Sequence, residues 1–177
     1  RWVNLPEFSR QMLREGGLFV DFHKQRDKGI KVGKALSAGS LVRVTTDKGT
    51  DVQFCIEGRE AIVESGISDQ PGMINSPPDI EVCIAPIEGT AEGKIIIDGS
   101  IVLPGLGPIK KEVTLSVSKG FVTKIEGSEE AELFKKMLDN AKEKEVFNIG
   151  EFGIGLNPKC KICGSMLEDE GVYGTIH

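Results

Sequence analysis

Two carboxylates and a histidine stand in unusual company in this chain. Glu81 lies in PPDIEVCIAP, Glu151 in NIGEFGIG, and His177 closes VYGTIH, each among apolar residues or glycines. A carboxylate held in apolar, strand-like chain is costly unless a donor or cation meets it. Glycines beside it let backbones approach closely. Taken singly, each residue has a plain alternative, because period-two alternation can turn a lone Glu to solvent. Taken together, two carboxylates and an imidazole suit a hard or borderline divalent metal.

A second group draws the eye for a different reason. Cys160 and Cys163 form a C-x-x-C pair in NPKCKICGSM. Structural zinc needs four soft ligands, ordinarily as two paired knuckles, and only one knuckle is present. A thioredoxin-like redox pair opens a helix after a strand in a βαβ context, which this segment does not offer. Two reduced thiols are the simpler reading. Cys55 and Cys83 come singly from apolar runs, where free cysteine acts as a small buried hydrophobe. His23 sits among Lys24, Arg26 and Lys28 and reads as a solvated surface residue.

The elements that must position these groups follow from periodicity. Leu5, Phe8, Met12 and Leu13 fall at helical spacing over residues 5–14, ended by Gly16-Gly17. A basic helix-like segment follows and leads to a first strand at Leu41. From there the period changes to two: LVRVTT and DVQFCIE flank Asp47-Lys48-Gly49-Thr50 and predict a hairpin. Pro77-Pro78 marks a loop. IEVCIAP, GTAEGKIIIDGSIVL, EVTLSVS and FVTKIEG then continue as strands. One helix interrupts them, with Ser128 as N-cap, acidic residues at its start, and a stripe of Phe134, Met137, Leu138 and Ala141. The chain returns to extended structure at VFNIGEFGIGLNP. This pattern predicts an α+β fold, β-rich, with a mostly antiparallel sheet or partial barrel and flanking helices. Residues 1–40 read as a helical lead-in from a preceding domain, and 41–177 as a β-rich metal-binding domain.

The bulk numbers narrow the classes. The 177 residues are 39% hydrophobic and 28% charged, an ordinary globular balance. A net charge of −5 offers no basic footprint for nucleic acid or an anionic membrane. No apolar run is long enough to span a bilayer. With four cysteines and no disulfide framework, a reducing cytoplasm is the simplest compartment. The chain starts without Met and stops in an apolar-leaning stretch, so we read it as an excerpt, truncated after His177.

Four segments in order carry a family resemblance: VRVTTDKGTDVQF, EVCIAPIEGTAEGKIIIDGSI, GEFGIGLNPK and LEDEGVYGTIH. Together they resemble the thermophilic metallopeptidase family of aminopeptidase T and aminopeptidase S, over most of residues 41–177. In that family the first glutamate ligand falls in a G-E-V motif, and Ile80-Glu81-Val82 takes its place, with Ile80 departing from the pattern. The second glutamate belongs to a G-E motif, matched by Gly150-Glu151. The first histidine follows an acidic D-E turn, matched by Glu168-Asp169-Glu170 and His177. The tyrosine and the His-x-Asp pair that complete the family's site are not in the 177 residues.

The resemblance implies a metal-dependent aminopeptidase-like hydrolase that removes N-terminal residues from peptides. The resemblance implies a two-metal site, its ions divalent, Zn2+ by expectation and otherwise Co2+, Mn2+ or Fe2+, with Glu81, Glu151 and His177 among the ligands. A peptide or small-molecule substrate and a homodimer are the implied partners. A branch similar to these peptidases contains non-haem iron dioxygenases that open dihydroxypyridine rings, using a mononuclear site of histidines and a carboxylate. That is the alternative chemistry. A non-catalytic oligomerisation or binding scaffold is the third.

Overall fold

The computed structural model describes residues 1–177. In chain order its strands and helices are β1 (Trp2–Val3), α1 (Phe22–Ser37), β2 (Leu41–Thr45), β3 (Asp51–Cys55), β4 (Ile62–Glu64), β5 (Ile74–Asn75), and β6 (Glu81–Ile84). There follow β7 (Glu92–Ile97), β8 (Ser100–Ile101), β9 (Gly107–Pro108), β10 (Val113–Ser118), β11 (Phe121–Glu126), α2 (Glu129–Ala141), β12 (Phe152–Gly155) and α3 (Met166–Asp169). All pairings are antiparallel except the short β1–β5 pair. This is the expected α+β class; its sheets are open, and no barrel closes.

The chain divides into two compact units. One comprises residues 1–38, 60–84 and 151–177; the other comprises 39–59 and 85–150. The second unit is built on a five-stranded sheet of order β11-β10-β7-β3-β2. The expected hairpin at 41–55 forms β2 and β3, and Arg43 grips Asp51 across them with two bonds of 2.8 Å. Val113 and Leu115 of β10 alternate inward and meet Ala131 and Phe134 of α2 and Ile101. The stripe on α2 is core packing. Ser128 is its N-cap residue, yet its hydroxyl donates to Glu130 instead of accepting from a helix amide.

The first unit carries the candidate site. A three-stranded sheet of order β12-β6-β4 is covered on one face by α1. Asp21 starts α1 by accepting from the Lys24 amide at 3.0 Å. Gly29 and Gly33, one turn apart, let the helix sit directly on Val63 and Val82. Ile80, Val82 and Leu156 form the core there, packed by Val20, Phe22, Val32, Leu36 and Val63. Asn157, fully buried, ties three segments: its amide donates to Gly17 O at 3.1 Å and Pro78 O at 2.7 Å, and its oxygen accepts from Lys159 N.

The helix expected over residues 5–14 does not form; this stretch is turns, and the first long helix is α1. Of the four residues at helical spacing only Met12 is buried, while Leu5, Phe8 and Leu13 are exposed. A short helix gains its stability from burying its stripe, and this stripe is not buried.

Candidate metal centre

Strand register determines what stands on the open face of the first unit's sheet. Val82 and Val63 point to α1, so their neighbours Glu81, Cys83 and Glu64 point the other way. Glu64 is paired with Glu81, and Glu81 with Gly155; Ile62 is paired with Cys83, and Cys83 with Gly153. The chain's last residues extend this face. Gly153 N donates to His177 O at 2.9 Å and His177 N to Gly153 O at 3.2 Å, which sets His177 opposite Gly153. Gly153 then has a specific role. A Cβ built on it would lie 2.1 Å from His177 Nε2, so the imidazole occupies the space where a side chain would be.

The ring thereby reaches Glu81. His177 Nε2 is 2.8 Å from Glu81 Oε2 and 3.8 Å from a Glu151 oxygen. All three residues singled out in the sequence are brought together, although 96 positions separate the first from the last. Cys83 joins them: ligand atoms of Glu81, Cys83 and Glu151 all lie within 4.8 Å of one another. Glu81 and Cys83 are buried, at 4% and 7% exposure, while Glu151 is open to solvent. Despite its proximity to the ring, Glu81 Oε2 receives no aligned hydrogen bond. A buried carboxylate is expensive to leave uncompensated, and the His177 ring is the cation-forming group within reach of this one.

The surrounding charge is unbalanced. Burial, then Glu81 and Glu151, pushes the Glu64 carboxyl up. Burial, then Glu81, Glu170 and Glu64, pushes Asp79 up to about 9, and its Oδ1 is also buried without a partner. Burial raises Glu170 to about 7, with His177 opposing and the other carboxylates adding. The Cys83 thiol is pushed up to about 12 by burial and the neighbouring carboxylates. Glu151 is held low, chiefly by the neighbouring His177 ring. For His177 burial acts downward, but the nearby carboxylates of Glu151, Glu81 and Glu170 outweigh it and raise the ring to about 10. Five carboxylates thus face one imidazole. Such a set can hold a divalent cation, and Glu170 can take or give a proton near neutral pH.

Sequence reasoning missed Cys83, Glu64 and Asp79. Cys83 was legible in principle, since position i+2 in a strand shares the face of Glu81. Cys160 and Cys163 stand apart from the cluster. Cys160 is buried with its thiol 3.6 Å from Pro78 O. The Cys163 and Gly164 amides bind the Asp169 carboxylate at 2.7–3.1 Å, so this knuckle closes round an acid side chain.

This arrangement can be set beside known proteins. A family model described as NicX: 2,5-dihydroxypyridine 5,6-dioxygenase matches residues 21–173. The chain belongs to this NicX family. It is 31% identical over 135 residues to a 2,5-dihydroxypyridine 5,6-dioxygenase of Pseudomonas putida, covering 76% of this chain and 39% of that protein. The solved structure of 2,5-dihydroxypyridine dioxygenase from Pseudomonas putida superposes with a TM-score of 0.76 at 26% identity, over 87% of this chain and 46% of the other. AmpT from Thermus thermophilus superposes with a TM-score of 0.67 at 17% identity, over 88% of this chain and 40% of the other, which shows a shared fold alone. The chain spans less than half the length of these relatives.

Membership of the NicX family corrects the hydrolase reading. The expectation of a zinc aminopeptidase rested on resemblance to a branch that shares this fold, and a shared framework does not fix the reaction. Sequence identity follows the dioxygenase, not the peptidase. No helix is long and apolar enough to cross a membrane.

Proposed function

We propose that this chain forms part of a metal-dependent dioxygenase that opens a hydroxylated pyridine ring, with Fe2+ held at His177, Glu81 and Glu151. The observation that carries the reading is the family match over a span that includes Glu81 on β6 and Glu151 just before β12. The donor set fits the ion: Glu81 offers a buried oxygen whose close partner is the His177 ring, and a carboxylate–imidazole set is one ferrous iron accepts. When bound, the iron supplies the one-electron chemistry that lets dioxygen react with an aromatic ring.

The chain's own residues contribute position and charge. Gly153 leaves the gap through which His177 reaches Glu81, and the β12–β6–β4 register holds the carboxylates on one face. Burial of Glu81 excludes water from one side of the cluster, while the exposure of Glu151 leaves the other side open to a ligand.

The test is anaerobic loading of the protein with Fe2+, then oxygen uptake on adding 2,5-dihydroxypyridine. One O2 consumed per ring opened is expected, and His177→Ala should lose both the iron and the uptake. Iron-free protein with no oxygen uptake would overturn the reading in favour of a binding scaffold.

A further inference from the structure

Both halves of the centre hang on β12, and a side chain holds the end of that strand. On one side β12 pairs with β6, where Gly155 stands opposite Glu81. The pairing runs one bond further, with Leu156 N donating to Ile80 O at 2.8 Å. On the other side β12 carries the segment that ends at His177. There Gly155 N donates to Thr175 O at 3.1 Å, Asn157 N to Gly171 O at 2.7 Å, and Tyr173 N to Asn157 O at 3.1 Å.

In the β12–β6 register the next hydrogen-bonded pair would be Pro158 with Pro78. Neither has an N–H, so the ladder stops there. Buried Pro78 O would be left to the Cys160 thiol at 3.6 Å, a weak donor. The Asn157 side chain supplies the missing rung. Its nitrogen donates to Pro78 O at 2.7 Å and to Gly17 O at 3.1 Å, and its oxygen accepts from Lys159 N at 3.0 Å. Asn157 is 0% exposed, so no water can stand in for these bonds. Gly17 is shaped to the contact: a Cβ there would lie 2.4 Å from Pro78 Cβ and 3.1 Å from Asn157 Nδ2.

We propose that Asn157 is the positioning residue of this centre, fixing the Glu81 strand through its side chain and the His177 segment through its backbone. Pro78 precedes Glu81 by three residues and Tyr173 precedes His177 by four, so a shift at Asn157 reaches both. Its role rests on the metal reading above; the register it holds does not.

Asn157→Leu keeps the side chain's size and removes all three of its bonds. Gly17→Ala leaves Asn157 intact and drives Pro78 away from it. Asn75→Leu is the control, because Asn75 is also buried and holds residues 65–67 by side-chain bonds of the same kind. In metal-free protein, hydrogen exchange at the Leu156 and Tyr173 amides, one on each side of β12, should speed up about tenfold or more in both test variants. Fe2+ binding by anaerobic equilibrium dialysis should weaken about tenfold or more in the same two. Asn75→Leu should lower the urea midpoint yet leave both readings within about twofold of wild type. Exchange and Fe2+ binding that stay at wild-type values in Gly17→Ala, or change equally in Asn75→Leu, overturn the proposal and leave the metal reading intact. If Asn157→Leu does not fold, Gly17→Ala decides alone. Wild type that takes up no Fe2+ overturns the metal reading, and hydrogen exchange then decides the register by itself.

Discussion

Gly153→Ala is the sharpest test of how the centre is assembled, because the structure says which atoms collide. The new Cβ would stand 2.1 Å from Nε2, 2.3 Å from Cε1 and 2.7 Å from Cδ2 of His177. Carbon and nitrogen need about 3.5 Å, so the ring must retreat by more than about 1 Å. Ligand distances tolerate about 0.2 Å. The ring therefore leaves the 2.8 Å approach to Glu81, and its charge state reports the departure. In the wild type His177 is raised to about 10 from an ordinary 6.5, chiefly by Glu151 and Glu81 against the opposing effect of burial.

A histidine raised in the folded state contributes stability in full below pH 6.5 and loses it as pH rises through about 10. At about 1.4 kcal/mol per pKa unit, removing the interaction forgoes at most about 5 kcal/mol. Solvent at the partly open ring makes the loss smaller. The assay is NMR titration of the imidazole signals, of which the chain has two, from His23 and His177. Gly153→Ala should move the high-titrating signal down towards 6.5 and weaken Co2+ or Fe2+ binding about tenfold or more. A His177 signal that still titrates near 10 in the variant would refute the placement of the ring over Gly153.

Two further outcomes follow from packing and charge. Asp79, pushed up to about 9 by burial and its acidic neighbours, keeps a proton in the folded state that the unfolded chain loses near 3.8. Its contribution is full below 3.8 and falls as pH rises towards 9, so Asp79→Asn should gain stability over wild type by a few kcal/mol between about pH 5 and about pH 8.5. Parallel unfolding curves at the two pH values would contradict this. Gly33→Ala should destabilise, although alanine normally favours a helix by about 1 kcal/mol. Its Cβ meets Val63 Cγ2 at 2.9 Å, and overpacking costs about 1–3 kcal/mol. In a Val63→Ala background the same change should raise the urea midpoint, and a gain in the wild-type background would show that α1 is not seated so closely.

Sequence alone determined much of this protein, wherever the governing pattern is local. Period-two alternation marked β2 and β3, and the acid-to-base run with an apolar stripe marked α2, because a strand or helix face repeats at fixed spacing. The incongruous carboxylates and histidine were visible too, since Glu81 in an apolar run and Glu151 in glycine-rich apolar chain conflict with solvation. Local pattern failed at residues 5–14, where helical spacing exists but the stripe finds nothing to bury against. The C-x-x-C pair, read as two reduced thiols, is two free cysteines, but that the Cys163 and Gly164 amides close on Asp169 was not legible. Tertiary structure decided the site itself. Antiparallel register set Glu64, Glu81, Cys83, Gly153 and His177 on one face, and pairing across chain-distant strands is not written in any one segment. The charge state was decided the same way: desolvation and mutual repulsion depend on distances that arise only once β4, β6 and β12 have met.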